Sequence, residues 1–144
     1  MNVLGADLQP EQFAVDPAGQ SWVVWTRDSE IAQVLLRKRS ANGGWTSLIP
    51  MSEEGEHSHS PELLHHGGSI WVTYTIDDGE GFGIAVRSGD GPVPWPMRSV
   101  IHTIYTREIA PEPRLHLINE ELVVVWSETR YSLGYSVYDP ESAS

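Results

Sequence analysis

The sequence predicts an all-β fold made of three similar blocks, and three observations support this prediction. A strand-like segment recurs about every fifty residues, at residues 22–26, 71–75 and 123–127. Apolar residues recur at a spacing of two or in short runs, which is typical of strands and not of helices. Ten prolines and thirteen glycines are spread along the chain and disfavour long helices.

Each block divides into short strands separated by turns that contain Gly, Asp, Asn and Pro. The strands predicted in the first block cover residues 12–15, 20–26, 32–39 and 45–51. Those of the second block cover residues 62–66, 69–76, 83–88 and 95–102. Those of the third block cover residues 114–118, 121–127 and 134–138, and its fourth strand is missing. Four strands in a repeat of about fifty residues correspond to one blade of a β-propeller.

We therefore predict a single propeller-type domain over residues 1–144, with blade repeats at about residues 10–52, 61–102 and 111–139. Closed propellers have about four to eight blades, so two chains of three four-stranded blades would form a six-bladed ring as a homodimer. Residues 2–6 would act as an N-terminal clasp, the outer strand that completes the third blade of the partner. A frayed terminus with a truncated last blade, or a piece of a longer propeller, are the alternatives.

The composition excludes several classes of protein. The chain has 144 residues, of which 40% are hydrophobic and six are Trp, so it can fill a core and is not disordered. Its net charge of −11 repels phosphate backbones, which disfavours nucleic acid as a partner. No apolar run reaches the length of a membrane span and no signal peptide is visible. Cysteine is absent, which excludes disulfides but assigns no compartment.

Two turns resemble the Asp-box of sialidase-like propellers, whose pattern is Ser-x-Asp-x-Gly-x-x-Trp. Residues 88–95 read Ser-Gly-Asp-Gly-Pro-Val-Pro-Trp, with Pro92 in the place of Gly. Residues 40–45 read Ser-Ala-Asn-Gly-Gly-Trp, which is two residues shorter and has Asn42 for Asp. In the family this turn joins the third and fourth strands on the face away from the active site. The resemblance implies the fold and not the function. Kelch propellers fit less well, because they need a Gly-Gly pair at a fixed place in each blade and only Gly67-Gly68 qualifies.

The resemblance also implies which loops carry function. Two sets of loops would surround the central channel on one face, at residues 5–11, 52–62 and 103–112, and at residues 27–30, 77–82 and 128–133. Variable loops on a repeated scaffold are where such folds carry their sites.

A Pro-Glu pair begins each block and supplies the most regular candidates, Glu11, Glu62 and Glu112. We expect them at equivalent positions, where a dimer would form a ring of six carboxylates. Such a ring could hold a divalent cation in the channel or accept hydrogen bonds from sugar hydroxyls. The alternative is structural, with each Glu holding a backbone amide of the neighbouring blade. Repetition in every blade favours the structural interpretation.

His57 and His59 are weaker candidates, as a metal site. Residues two apart in an extended segment face the same way, and several Glu lie nearby, so the two imidazoles and a carboxylate could bind a transition metal. No third His is spaced to match them. A polar surface loop is the favoured alternative.

A sialidase uses three Arg to clamp a carboxylate, a Tyr nucleophile paired with Glu, and an Asp as acid/base. Loops of the functional face supply residue types of this kind, namely Arg27, Asp28, Asp77, Asp78, Arg107, Arg130 and Tyr131. The Arg-Ile/Leu-Pro motif typical of the family's first Arg is absent, and a homodimer would duplicate every group. We therefore assign no catalytic residue and treat these seven residues as candidate ligand contacts.

The sequence thus favours a binding module for a carbohydrate or another small polar ligand, with no cofactor other than the channel cation. Its partners would be a second copy of the chain and the ligand, and neither nucleic acid nor a membrane. A glycoside hydrolase of the sialidase-like type and a protein-interaction scaffold are the alternatives. The lack of a recognisable catalytic constellation favours binding over catalysis, and the compartment stays undetermined.

Overall fold

A computed structural model of the chain describes residues 12–27, 30–46, 48–89, 99–105 and 109–138. These residues form strands joined by turns and contain no helix. The strands are β1 (Gln12–Val15), β2 (Ser21–Arg27), β3 (Gln33–Arg39), β4 (Ile49–Pro50), β5 (His57–His66), β6 (Ser69–Asp77), β7 (Phe82–Gly89), β8 (Ser99–Ile104), β9 (Arg114–Ile118), β10 (Glu121–Thr129) and β11 (Ser132–Tyr138). Among the described residues no helix is long and apolar enough to span a membrane.

The strands form three antiparallel sheets, which confirms the predicted all-β, propeller-type fold. The first sheet has the order β1-β2-β3-β4, the second β5-β6-β7-β8, and the third β9-β10-β11. Each sheet is thus a consecutive meander, as in a propeller blade. The predicted domain bounds and the predicted clasp at residues 2–6 involve residues outside the described ranges, so they stay predictions.

Two strands, β4 and β5, differ most from their predicted bounds. β4 is limited to Ile49–Pro50, and Trp45 forms only an isolated bridge with Arg39. β5 begins at His57 rather than at Glu62, because an irregularity between His59 and Glu62 lets the strand continue past Pro61. A bulge of this kind absorbs a residue that cannot donate to the ladder. Residues 57–62, the second half of the loop predicted at residues 52–62, therefore belong to β5.

Side-chain alternation gives each sheet two faces, and the sheets stack through these faces. One apolar cluster joins the first sheet to the second and includes Trp22, Val24, Leu36, Ile70, Val72 and Tyr74. A second cluster joins the second sheet to the third and includes Trp71, Ile84, Val86, Leu122, Val124 and Trp126. Full burial of each large apolar side chain contributes about 1.5–3 kcal/mol. The stacking of sheets therefore supplies most of the apolar burial.

The Asp-box-like turn at residues 40–45 has the local geometry that its residues predict. Asn42 Oδ1 accepts the N–H of Gly44 at 3.1 Å, and Gly43 has a φ of +94° that favours glycine. Trp45 then lies beneath the guanidinium groups of Arg37 and Arg39, at 5.6 and 5.9 Å from its ring centroid. Residues 90–98, which hold most of the second turn, lie outside the described ranges.

The strand register corrects the expected equivalence of the Pro-Glu pairs. Glu62 pairs with Thr73 in the second sheet, and the residue at that position in the third sheet is Arg114, which pairs with Val125. The backbone agrees, since Ser60 before Pro61 and Glu112 before Pro113 both have positive φ, at 55° and 45°. Pro61 therefore corresponds to Pro113 and not to Pro111. Two prolines lie two residues apart in the third block, and the sequence pattern matched the wrong one.

Gly134 in β11 tests the packing of Trp126, which is its cross-strand partner in the third sheet and belongs to the cluster that joins this sheet to the second. A Cβ at this position would lie 2.3 Å from Trp126 Nε1, so Gly134→Ala must displace the indole. We expect Gly134→Ala to lower the free energy of unfolding by about 1–3 kcal/mol in urea titrations. Gly83→Ala is the matched control, because its Cβ would meet Ile76 at an ordinary 3.6 Å. Equal stabilities of the two variants would contradict this packing.

Candidate functional site

A cleft of about 500 Å³ opens between the connection that precedes β5 and the turn that joins β6 to β7. It belongs to the face on which functional loops are expected from the sequence. The residues that line it are Gly55, Glu56, His57, Ile76, Asp77, Asp78 and Gly79. Three of them, His57, Asp77 and Asp78, are among the residues named from the sequence.

His57 sits at the start of β5, directly across from Asp77 of β6. Its Nδ1 accepts the backbone N–H of Ala32, at 3.2 Å, from the connection between β2 and β3. A neutral imidazole whose Nδ1 accepts must carry its proton on Nε2. His57 is therefore held by the first sheet in the tautomer that can donate a hydrogen bond from Nε2.

Asp77 and Asp78 are positioned by the turn that they begin. Asp77 Oδ1 accepts the N–H of Gly79 at 3.0 Å. Asp78 Oδ1 accepts the N–H groups of Glu80 and Gly81, both at 2.8 Å. These bonds from side chain to backbone are typical of Asx turns. They fix two carboxylates side by side at the edge of the cleft.

The opposite wall is anchored to the first sheet. Ser52 Oγ accepts the N–H of Val34 at 3.1 Å, and the N–H of Ser58 donates to the carbonyl of Ala32 at 3.0 Å. Ser58 Oγ in turn donates to Glu56 Oε1 at 3.2 Å. Because Ser52 and Ser58 are both buried, this wall is preorganised rather than a free loop.

Glu62 lies away from the cleft and joins two sheets. Its Oε1 accepts the N–H of Leu115 in β9 at 2.6 Å, and its Oε2 is 3.2 Å from Arg114 Nη1. This contact is the one expected if the Glu residues are structural and each holds a backbone amide of the neighbouring blade. Glu112 is exposed and precedes β9, and Glu11 lies outside the described ranges. Their assignment as ligand contacts stays a prediction.

The remaining candidates are scattered over the loop face. Arg27 ends β2 and is exposed, and Arg130 and Tyr131 form the exposed turn between β10 and β11. None of these three residues lines the cleft. Asp28 and Arg107 lie outside the described ranges. Within those ranges the structure does not bring three arginines together as a carboxylate clamp.

His59 is held by local contacts. Its Nδ1 is 2.8 Å from Ser60 Oγ, and its ring meets the ring of Phe82 edge-on at 6.4 Å. In the described part of the chain, no three His, Cys, Asp or Glu side chains are grouped so that they could hold a metal ion. The metal site at His57 and His59 and the channel cation therefore stay predictions.

Sequence reasoning missed a cluster that joins β8 to β10. His102 Nε2 is 3.0 Å from Glu128 Oε2, the indole N–H of Trp126 donates to the same oxygen, and His102 stacks on Trp126 at 4.8 Å. The Trp126 hydrogen bond lowers the pKa of Glu128; burial opposes this shift, and His102 adds to it through a hydrogen bond and its charge. No short motif could have revealed the cluster, because its members lie on different sheets.

Two exposed tyrosines follow this cluster along the chain. Tyr105 comes directly after β8 and is 85% exposed, and Tyr131 lies in the turn after β10 and is 94% exposed. The contact between His102 and Glu128 brings the two strand ends to the same side of the loop face. Exposed aromatic rings of this kind can offer flat surfaces to a ligand.

The role of Glu62 can be tested by two substitutions. Glu62→Leu leaves the N–H of Leu115 without its acceptor and should cost about 1–3 kcal/mol of unfolding free energy. Glu62→Gln keeps an amide oxygen as acceptor and should lose less, because the ion pair with the half-exposed Arg114 contributes little. Chemical denaturation measures both. Similar losses for the two variants would contradict a contact made mainly to the backbone.

The Glu128 cluster predicts a dependence of stability on pH. Because the pKa of Glu128 lies below its ordinary value of 4.5, the ionised group stabilises the fold above that value and ceases to do so as pH falls through the lowered pKa. Glu128→Gln should therefore be less stable than the wild type at pH 7, with the difference closing in acid. Thermal melts across pH test this, with the exposed Glu54→Gln as control. A difference that is constant with pH would contradict it.

Comparison with known proteins supports the fold. No family model and no curated protein matches the sequence. An exo-1,5-alpha-L-arabinanase from a bovine ruminal metagenomic library superposes with a TM-score of 0.58 at 12% identity, over 94% of this chain and 51% of the other. An endo-1,4-beta-xylanase from Bacteroides thetaiotaomicron superposes with a TM-score of 0.54 at 12% identity, over 83% and 47%. The likeness shows the propeller fold, and the chain spans about half the length of each neighbour.

Proposed function

We propose that the protein binds a carbohydrate at the cleft between residues 55–57 and 76–79. The observation that supports this most directly is that two hydrogen-bond acceptors and one hydrogen-bond donor are held in place at the cleft. Asp77 and Asp78 are held by their turn, and His57 is held with its Nε2 proton available. Sugar hydroxyls both donate and accept, so a site of this composition suits them.

The surroundings of the cleft agree with a sugar ligand. Ile76 adds an apolar element to the lining, and Tyr105 and Tyr131 are exposed on the loop face, where aromatic rings can stack on the apolar faces of sugars. The two structural neighbours are named as an arabinanase and a xylanase. Arabinan and xylan oligosaccharides are therefore the first ligands to test.

The proposal includes the resemblance to sialidase-like propellers, which concerns the scaffold and not the ligand. The turn at residues 40–45 has the Asp-box type of geometry, but it joins β3 to β4, at the ends of the strands opposite to the cleft. We propose a scaffold of this kind whose loop face has its own binding chemistry. The described residues support no carboxylate clamp of the sialidase type.

A glycoside hydrolase is the second candidate, and the carboxylates of the cleft are the observation that favours it. Glycosidases use two carboxyl groups on either side of the bond that they break. Asp77 and Asp78 are adjacent in one turn, and Glu56 lies on the opposite wall. Glu56 with Asp77 or Asp78 would be the pair to examine if turnover were found.

The test is binding by calorimetry to arabino- and xylo-oligosaccharides, with a fluorogenic glycoside panel to detect hydrolysis. Asp77→Asn and Asp78→Asn keep an Oδ1 for the N–H groups of the turn but remove the charge. A hydrogen bond to a charged group contributes about 1.5–3 kcal/mol, so each change should weaken binding about tenfold or more. Glu80→Gln, in the same turn but outside the cleft lining, should bind normally.

Three outcomes separate the candidates. Sugar binding without turnover, weakened by the two Asn variants, supports the binding module. Turnover that Glu56→Gln or Asp77→Asn abolishes would replace it with the hydrolase. No binding by the folded wild type to any arabino- or xylo-oligosaccharide, with or without added EDTA or calcium, would contradict the proposal.

A further inference from the structure

The cleft between residues 55–57 and 76–79 carries negative charge on both of its walls. Asp77 and Asp78 supply two carboxylates from the turn that follows β6, and Glu56 supplies a third from the connection before β5. The bonds that Asp77 and Asp78 accept within their turn hold both groups in place. Because carboxyl groups are ionised near neutral pH, a ligand in the cleft meets negative charge on two sides.

The residues that line the cleft supply no positive charge to balance these carboxylates. Apart from the three acidic residues, the described lining consists of Gly55, His57, Ile76 and Gly79. His57 accepts the N–H of Ala32 on its Nδ1 at 3.2 Å, and an imidazole that accepts on one nitrogen is neutral. The lining is therefore acidic with no basic partner of its own.

Most basic side chains of the described ranges are held by contacts away from the cleft lining. These contacts are those of Arg37 and Arg39 with Trp45, Lys38 with Trp22, Arg87 with the carbonyl of Met51, and Arg114 with Glu62. Arg27 ends β2 and Arg130 lies in the turn between β10 and β11, and neither lines the cleft. The structure thus gives the cleft carboxylates no cationic side chain from the described lining.

The surroundings of the cleft add to its negative charge. Glu53 and Glu54 are exposed in the same connection as Glu56, and Glu80 is exposed in the same turn as Asp78. Arg27, exposed at the end of β2, opposes them. Charges within about 10 Å of each other still interact at moderate ionic strength, and a cleft lined by one sign of charge concentrates the potential. The cleft is therefore set to attract a positive group.

The arrangement suits a positive group on an organic ligand better than a metal ion. In the described part of the chain, no three His, Cys, Asp or Glu side chains are grouped so that they could hold a metal ion. An ammonium group needs only one or two of these carboxylates, since it donates up to three hydrogen bonds. Hydrogen bonds between ionised groups are also stronger than those between neutral ones.

We propose that the cleft selects its sugar by charge, and that it binds an amine-bearing sugar more tightly than a neutral one and a carboxylate-bearing sugar most weakly. This rests on the proposed function, the binding of a sugar at this cleft, and names the class of sugar. A carboxylate on the ligand would lose its water beside like charges. The preference is opposite to that of a sialidase clamp, in which three Arg hold a carboxylate.

The test compares three forms of one sugar by calorimetry near neutral pH. Xylobiose and arabinobiose are each converted at the reducing end into the alditol, the 1-amino-1-deoxyalditol and the aldonic acid, which are neutral, cationic and anionic. We expect the amine to bind about tenfold more tightly than the alditol, and the acid about tenfold more weakly. Raising the salt concentration to about 0.5 M should narrow both differences, because salt screens charges.

Two variants show whether the cleft carboxylates cause the preference. Glu56→Gln keeps an acceptor for Ser58 Oγ, and Asp78→Asn keeps one for its turn, while each removes one charge. Either change should lower the ratio of the acid's Kd to the amine's Kd about threefold or more. Glu121→Gln is the matched control, because it removes an equal charge at the exposed start of β10 and should keep the wild-type ratio. Circular dichroism verifies that each variant is folded.

The outcomes separate this inference from the proposed function. Equal binding of the three forms, tightest binding of the acid, or failure of the amine to bind while xylobiose or arabinobiose does, would overturn the selection by charge and leave sugar binding in place. A preference for the amine that Glu56→Gln and Asp78→Asn do not change would place its cause outside the cleft and overturn the inference as well. No binding of any of these sugars by the folded wild type would overturn both.

Discussion

The structure depends on the packing of one sheet against the next. No sheet could bury its apolar residues alone, since the apolar face of a sheet needs a second layer to cover it. The middle sheet is covered on both faces, and polar contacts also hold the first sheet against it. The hydroxyl of Tyr74 donates to the carbonyl of Met51 at 3.0 Å, and Arg87 Nη1 donates to the same carbonyl at 2.8 Å. These bonds fasten the edge of the first sheet to the second.

The same packing determines the geometry of the loop face. The segment before β5 is held by Val34 of β3, and His57 at the start of β5 is held by Ala32 in the connection between β2 and β3. The opposite wall of the cleft belongs to the second sheet. The cleft is therefore a consequence of how two neighbouring sheets are joined, and its walls do not depend on one flexible loop. This agrees with a general property of propellers, in which the repeated strands form the scaffold and the connections carry the chemistry.

The fold could be predicted because strand alternation and turn residues are local signals. The bounds of β1 and β9 were predicted to the residue, and β2, β3 and β6 nearly so. The start of β5 was not, because His57–Ser60 is polar and the strand passes a proline through a bulge. Of the cleft residues, Asp77, Asp78 and His57 were named from the sequence. Contacts between sheets, such as that between His102 and Glu128, depend on register and left no local signal.

The packing of the first sheet against the second holds the wall of the cleft in place. Hydrogen exchange of single backbone amides, followed by NMR, measures how firmly it does so. The N–H groups of Ala32, Val34 and Ser58 bond between this wall and the first sheet, and we expect them to be protected from exchange like the amides of β6. Fast exchange at these three amides, with slow exchange in β6, would show instead that the wall is a mobile loop and that sheet packing does not determine the cleft.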